Sequence, residues 1–411
     1  MDVLELGKEA ERLLTWIAGY GKDENGGVSR LPYSPEWLDA QQAIKQYLQD
    51  EGFEASFDAV GNLFARLSGA KYPQETILTG SHIDTVRNGG IYDGQYGIVS
   101  GIIAMRYLQQ KYGTPLRNIE VVSIAEEEGS RFPYAFWGSK NILGVAKRED
   151  VEHIKDFDGN SFVEAMQSAG FRFRNAGDVL RDDLKAFVEL HIEQGGVLEK
   201  EGKSVGVVEH IVGLRRFTIE IIGEANHAGT TPMLDRKDAM YVSALAIAHI
   251  VETAKKYGAP LVATVGKIEL EPSFANVVAG KAKFTLDTRH TNQEMLVKFS
   301  EQILADIKRI AQDNGVGINI DMWMDTPPVP MDQNIVKLLE DKCIQNNLNY
   351  KVMHSGAGHD SQIMATAVPT AMLFVPSQKG ISHSPLEYTA PEYLGEGIKV
   401  LIEVLYELAY K

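Results

Sequence analysis

The chain has 411 residues, 44% hydrophobic and 24% charged, which are ordinary globular proportions with enough mass for roughly two or three domains at ~150 residues each. Its 56 acidic against 41 basic residues give a formal charge of −15, which argues against nucleic acid and anionic membranes as partners. Cys343 is the single cysteine, so a disulfide framework and a multi-thiolate zinc site are excluded and a reducing compartment fits. The start MDVLELGKEAERLL puts acids where a signal peptide needs a basic region, and no apolar run reaches the ~18 residues of a spanning helix. A soluble cytoplasmic protein is expected.

Ser34 followed by Pro35 predicts a capped helix running through Gln49. Short apolar runs then alternate with helical stretches: Thr76 to Leu78, a helix over Gly97 to Lys111, Ile119 to Ala125, Ala186 to His191, Ala371 to Val375, and a closing helix from Glu392. That alternation predicts an α/β fold with a mostly parallel mixed sheet flanked by helices. Between Leu214 and Met324 the order changes to strand 214–223, helix 238–257, strands 261–270 and 277–287, helix 292–314 and strand 317–324, a βαββαβ ferredoxin-like unit. Its helices carry apolar stripes at Met240, Ala244, Ile247 and Val251, and at Leu296, Phe299, Ile303, Ile307 and Ile310, with Thr291 and Glu294 as a capping box. The prolines at 327, 328 and 330 punctuate the return, so residues 1–212 and 326–411 are expected to form one discontinuous domain and 213–325 an inserted one.

Chemistry-bearing residues collect at the ends of the expected strands. Ser81-His82-Ile83-Asp84 follows one apolar run, and open parallel sheets place ligands at that edge. Strand alternation points His82 and Asp84 the same way, so His82 could bind a metal through one ring nitrogen while Asp84 accepts from the other. Asp93 sits in the glycine-rich turn Asn88-Gly89-Gly90-Ile91-Tyr92-Asp93-Gly94, although Asp-Gly is more often a plain turn. Glu126-Glu127-Glu128-Gly129 ends another strand, where adjacent carboxylates need cations to offset their repulsion. His191 ends a third strand, and His383 follows a fourth. Each alone is weak; together they point to a metal site with mixed nitrogen and oxygen donors. Gly202-Lys203-Ser204-Val205-Gly206 matches a serine-hydrolase elbow formally but precedes a strand, phosphate-loop and dinucleotide patterns are incomplete, and no HExxH occurs.

His82-Ile83-Asp84, Asp93-Gly94, Glu127-Glu128-Gly129, His191 and His383, in that order, resemble the dinuclear metal amidohydrolases related to aminoacylases and glutamate carboxypeptidases. A histidine at 191, where many peptidase relatives carry an acid, is similar to the branch that cleaves N-carbamoyl groups. Within it, the stretches 31–37, Gly129-Ser130-Arg131-Phe132-Pro133, 136–141 and 354–360 are most similar to members acting on allantoate. The resemblance covers essentially the whole chain. It implies that Asp93 bridges two divalent ions, with His82 and His191 on one and Glu128 and His383 on the other. It further implies that Asp84 orients His82 and that Glu127 is the general base for a bridging water.

Such a centre keeps net positive charge and suits a small anionic ureido substrate. Donors without sulfur suit manganese, zinc, cobalt or nickel, with manganese favoured by the allantoate branch. Arg289 can offer a two-pronged donor to a substrate carboxylate. The resemblance adds Gln194 and Asn276 as substrate contacts and His227 as an oxyanion stabiliser supplied by the partner in a homodimer, with the inserted domain as interface and lid. The implied reaction cuts the terminal ureido group of allantoate to ureidoglycine, ammonia and carbon dioxide. The alternatives are an N-carbamoyl-L-amino acid hydrolase or β-ureidopropionase, and, in another class, a non-catalytic two-lobed small-molecule binder.

Overall fold

The computed structural model describes residues 2–175, 177–178 and 181–411. Two compact units emerge: Met1–Glu209 with Pro330–Lys411, and His210–Val329.

In the first unit the sheet centre is four parallel strands in the order Arg117–Ile124, Tyr72–His82, Leu184–Ile192 and Thr370–Val375. Antiparallel strands flank it, Glu54–Phe57 and Leu63–Leu67 on one margin and Val205–Ile211 on the other. The central strands are near-continuous apolar runs because both faces are covered. Thr79 and Val121 meet the helix Gln95–Tyr112 at Gly101, and that helix packs with Val3–Ala18 and Pro391–Tyr410. One residue away in each strand, Leu78 and Val122 point to the opposite face, where they pack with Ile142 and Met364 of the short helices Trp137–Ile142 and Asp360–Met364. Ser34 caps the helix Pro35–Asp50 as expected, its Oγ accepting from the Trp37 N–H. Because the four central strands are parallel, their C-terminal ends share one edge, and the segments after residues 82, 124, 192 and 375 gather there.

In the second unit an antiparallel sheet in the order Ile268–Glu271, Lys281–His290, Gly213–Ile222 and Gly317–Thr326 is covered by the helices Ala239–Tyr257 and Gln293–Asp313. Four details differ from expectation. The strand anticipated over 261–270 is split into Val262–Thr264 and Ile268–Glu271, because the register against Lys281–His290 slips by one residue around Gly266, a bulge that glycine tolerates. The strand anticipated over 277–287 breaks at Gly280, and Val277–Val278 pairs instead with Asn226–His227. The second helix is capped by Asn292 rather than Thr291, with the Asn292 side chain accepting from the Met295 N–H. The first helix buries Ala239, Val242, Ala246 and Ile250, leaving Met240 and Ala244 exposed. That helix is apolar on two faces, so spacing alone misidentified the buried one. Among the described residues no helix is long and apolar enough to cross a membrane.

Candidate metal centre

The five expected ligand groups converge at the strand edge of the first unit. His82, Asp93 and His191 offer donor atoms within 4.8 Å of one another, and so do Asp93, Glu128 and His383. Asp93 belongs to both trios and divides its oxygens between them. Oδ1 lies 3.6 Å from His82 Nε2 and 3.2 Å from His191 Nε2, while Oδ2 lies 3.1 Å from His383 Nε2. Glu128 Oε1 is 3.4 Å from the same His383 nitrogen. Glu127 Oε2 stands 3.8 Å from His82 Nε2.

The local backbone is built for this convergence. Gly94 has φ +71°, and a Cβ there would lie about 2.5 Å from the His82 ring, so only glycine lets the Asp93 turn approach the strand end. Glu126, Gln194 and His383 also hold positive φ, at 54°, 57° and 55°, a strained region for such residues. Hydrogen bonds hold two of them in place: Glu126 Oε1 accepts from the Gly129 N–H, and the Gln194 N–H donates to Ser377 Oγ. Both interior imidazoles are oriented by main-chain carbonyls. His82 Nδ1 lies 3.0 Å from Asp84 O and His191 Nδ1 lies 2.9 Å from Ile192 O, which places the proton on Nδ1 and turns Nε2 towards Asp93.

Asp84 differs in detail from its expected role. Its carboxylate is 3.6 Å from His82 Nδ1, farther than its own carbonyl, and accepts the main-chain N–H groups of Glu127 and Glu128 instead.

The crowded groups compete for protons. Burial disfavours charge on His82, but Glu127, Asp84 and Asp93 outweigh it and raise its pKa. Burial likewise opposes ionisation of Asp93, yet hydrogen bonds from His191, His383 and His82 hold it well below the usual carboxylate range. Glu128 is pushed up to about 8 by burial and by Asp93, and His383 up to about 9 by its hydrogen bond to Asp93. Glu127 is raised by burial and by neighbouring carboxylates. Buried carboxylates crowded among imidazoles, without sulfur, fit a pair of divalent cations: two positive centres relieve the repulsion that otherwise has to be met by bound protons.

The sequence pattern of peptidase family M20/M25/M40 matches residues 78–407. The chain belongs to this family. It is 53% identical to the allantoate amidohydrolase of Escherichia coli K12, with 98% of each chain covered, and 44% identical to that of Bacillus subtilis 168, with 97% of this chain and 96% of the relative covered. Among solved structures, an amidase of the hydantoinase/carbamoylase family from Burkholderia multivorans aligns with a TM-score of 0.92 at 32% identity, covering 98% of each chain. This M20 chain is a hydrolase acting on C–N bonds, a metal-dependent amidohydrolase with candidate metal-binding residues in place.

The other expected residues of the M20 chain divide between its units. Gln194 lies at the centre, its Nε2 donating to Asp93 Oδ2 at 2.8 Å. His227, Asn276 and Arg289 belong to the second unit. There His227 and Asn276 adjoin: Val277 pairs with His227, and the Ala228 N–H donates to the Asn276 carbonyl. Arg289 directs its fork onto Asp287, Nε to Oδ1 at 2.8 Å and Nη2 to Oδ2 at 3.1 Å, so the expected carboxylate partner is already found within its own strand. Sequence reasoning missed Ser382 and Glu387, which contact the Asp93 segment. The one available signal was an acid four residues after His383.

Proposed function

We propose that this M20 chain hydrolyses the terminal ureido group of allantoate. Water adds to the ureido carbonyl, one C–N bond breaks to release ammonia, and the carbamate left behind breaks its remaining C–N bond to give ureidoglycine and carbon dioxide. The observation that carries the chemistry is Asp93, whose two oxygens face two separate donor pairs, His82 with His191 and Glu128 with His383. The choice of substrate is supported by the E. coli relative, alike over nearly the full length.

His82 and His191 would hold one ion and Glu128 and His383 the other, with Asp93 between them. Bound divalent ions supply Lewis-acid polarisation of the carbonyl and a more acidic water near neutral pH. Glu127 takes the water proton and returns it to the leaving nitrogen, and its raised affinity for protons suits that exchange. Asp84 fixes where Glu127 stands through its main-chain N–H. Gln194 and Asn276 bind the substrate's polar arms, and Arg289 exchanges its pairing with Asp287 for the substrate's carboxylate. His227 stabilises the oxyanion from a second copy of the chain, and the exposed apolar residues Met240, Tyr241 and Leu245 on the helix Ala239–Tyr257 supply an interface for it.

The Burkholderia amidase favours a second reading, hydrolysis of N-carbamoyl amino acids. Allantoate brings a second ureido arm that must be hydrogen-bonded, and each unpaired buried polar group costs about 1–3 kcal/mol, so one assay separates the two. Chelated protein is expected to release no ammonia from allantoate and to regain the activity with manganese. Turnover confined to N-carbamoyl amino acids would establish the second reading, and no turnover of either would leave a binding protein.

A further inference from the structure

Glu387 is buried, 5% exposed, and its carboxylate reaches two segments that lie far apart in the chain. Oε2 accepts the main-chain N–H groups of Tyr92 at 2.9 Å and Asp93 at 3.1 Å, across a separation of 295 residues for the first. Oε1 accepts the hydroxyl of Ser382 at 2.9 Å, the residue before His383. Ser382 Oγ is also 3.1 Å from Asp93 Oδ2. The Ser382 hydroxyl has a single proton, so it donates to one of these two carboxylates at a time.

Room for this carboxylate depends on Gly90. A Cβ at that position would lie 2.6 Å from Glu387 Cβ and closer still to the carboxylate, so a larger residue there displaces Glu387. The contact is therefore specified from both sides.

We propose that Glu387 is a positioning residue that sets the distance between Asp93 and His383, and so governs the ion held by Asp93, Glu128 and His383. The inference rests on the two-ion reading above. It predicts asymmetry. His82 and His191 are fixed by the ends of their own strands and by carbonyls of Asp84 and Ile192, none of which Glu387 touches. Losing the Glu387 carboxylate leaves the Tyr92 and Asp93 N–H groups without their buried acceptor and releases the His383 segment, while the other ion keeps both of its histidines and feels the change through Asp93 alone.

The test is cobalt and manganese titration of wild-type and Glu387→Gln protein, read by calorimetry and by the visible absorption of bound cobalt, with thermal melting of the ion-free proteins as a folding control. Wild type is expected to bind two ions. Glu387→Gln should weaken the ion of Glu128 and His383 about 10- to 100-fold and the other, which shares only Asp93 with it, distinctly less, with an altered cobalt spectrum and a lower kcat. Gly90→Ala should reproduce the loss without changing any donor. If Glu387→Gln fails to fold, Ser382→Ala carries the test, because it removes the link to the His383 segment, together with the Ser382 contact to Asp93 Oδ2, and keeps both N–H groups capped. Two unaltered affinities, or equal loss of both ions, would overturn the proposal. Wild-type protein binding fewer than two ions would overturn the two-ion reading, and this inference with it.

Discussion

The Asp84 carboxylate accepts the main-chain N–H of Glu127 on both of its oxygens, each at 3.1 Å, and its Oδ2 accepts that of Glu128 at 3.1 Å as well. One fully buried acid thus aims two others, the second of them an expected ligand. Asp84→Asn keeps the volume but turns one acceptor into a donor facing these N–H groups. A fall in kcat of about 10- to 100-fold is expected, with the fold retained. Steady-state kinetics beside a thermal melt will check it, and an unchanged kcat would mean that this clamp does not position the acids.

Glu127 and Glu128 are adjacent in sequence but predicted to fail differently. Glu127→Gln should lower kcat by about 10²- to 10⁴-fold while both ions stay bound, as expected for loss of proton transfer. Glu128→Gln should lose one ion. Metal content by mass spectrometry, measured with kcat, distinguishes them; loss of an ion from Glu127→Gln would make it a ligand.

Ion binding is predicted to release protons. In the ion-free protein His383 is raised to about 9 and Glu128 to about 8, so at pH 7 both hold protons that a cation must displace. Affinity should therefore climb as pH rises from 6 towards about 9 and fall on acidification. Calorimetry in buffers of different ionisation enthalpy reports the protons directly. No release at pH 7 would contradict the raised values.

The proposed sharing of His227 between copies makes a quantitative prediction. Mixing His227→Ala with Glu127→Ala protein under proven subunit exchange should restore about a quarter of wild-type activity, because random pairing gives half mixed dimers with one complete site each. No recovery would place His227 in its own chain's site or outside the chemistry.

Much of this was legible in the sequence because parallel strands buried on both faces read as short apolar-rich runs. A histidine or acid directly after such a run, as at His82, Glu127, Glu128 and His191, is fixed to one sheet edge by topology alone. Asp93 and His383 were candidates in the joint pattern, but their places in the ligand set came from the family resemblance, since each sits in a loop whose path no periodicity sets. Glu387 and Gly90 were invisible because their significance lies in a contact between distant segments. The exposed Met240 and Ala244 on the helix Ala239–Tyr257 show the opposite failure, a helix apolar on two sides whose buried face depends on which sheet it meets. The Arg289 and Asp287 pairing was available, two residues apart on one strand face, but an arginine's eventual partner is chosen by three-dimensional competition.

The most direct measurement is anomalous diffraction at the manganese edge from crystals grown with the ion. Two peaks are expected, both within coordination distance of Asp93, one beside His82 and His191 and the other beside Glu128 and His383. A single peak, or peaks that leave Asp93 out, would contradict the two-ion centre on which the proposed hydrolysis depends.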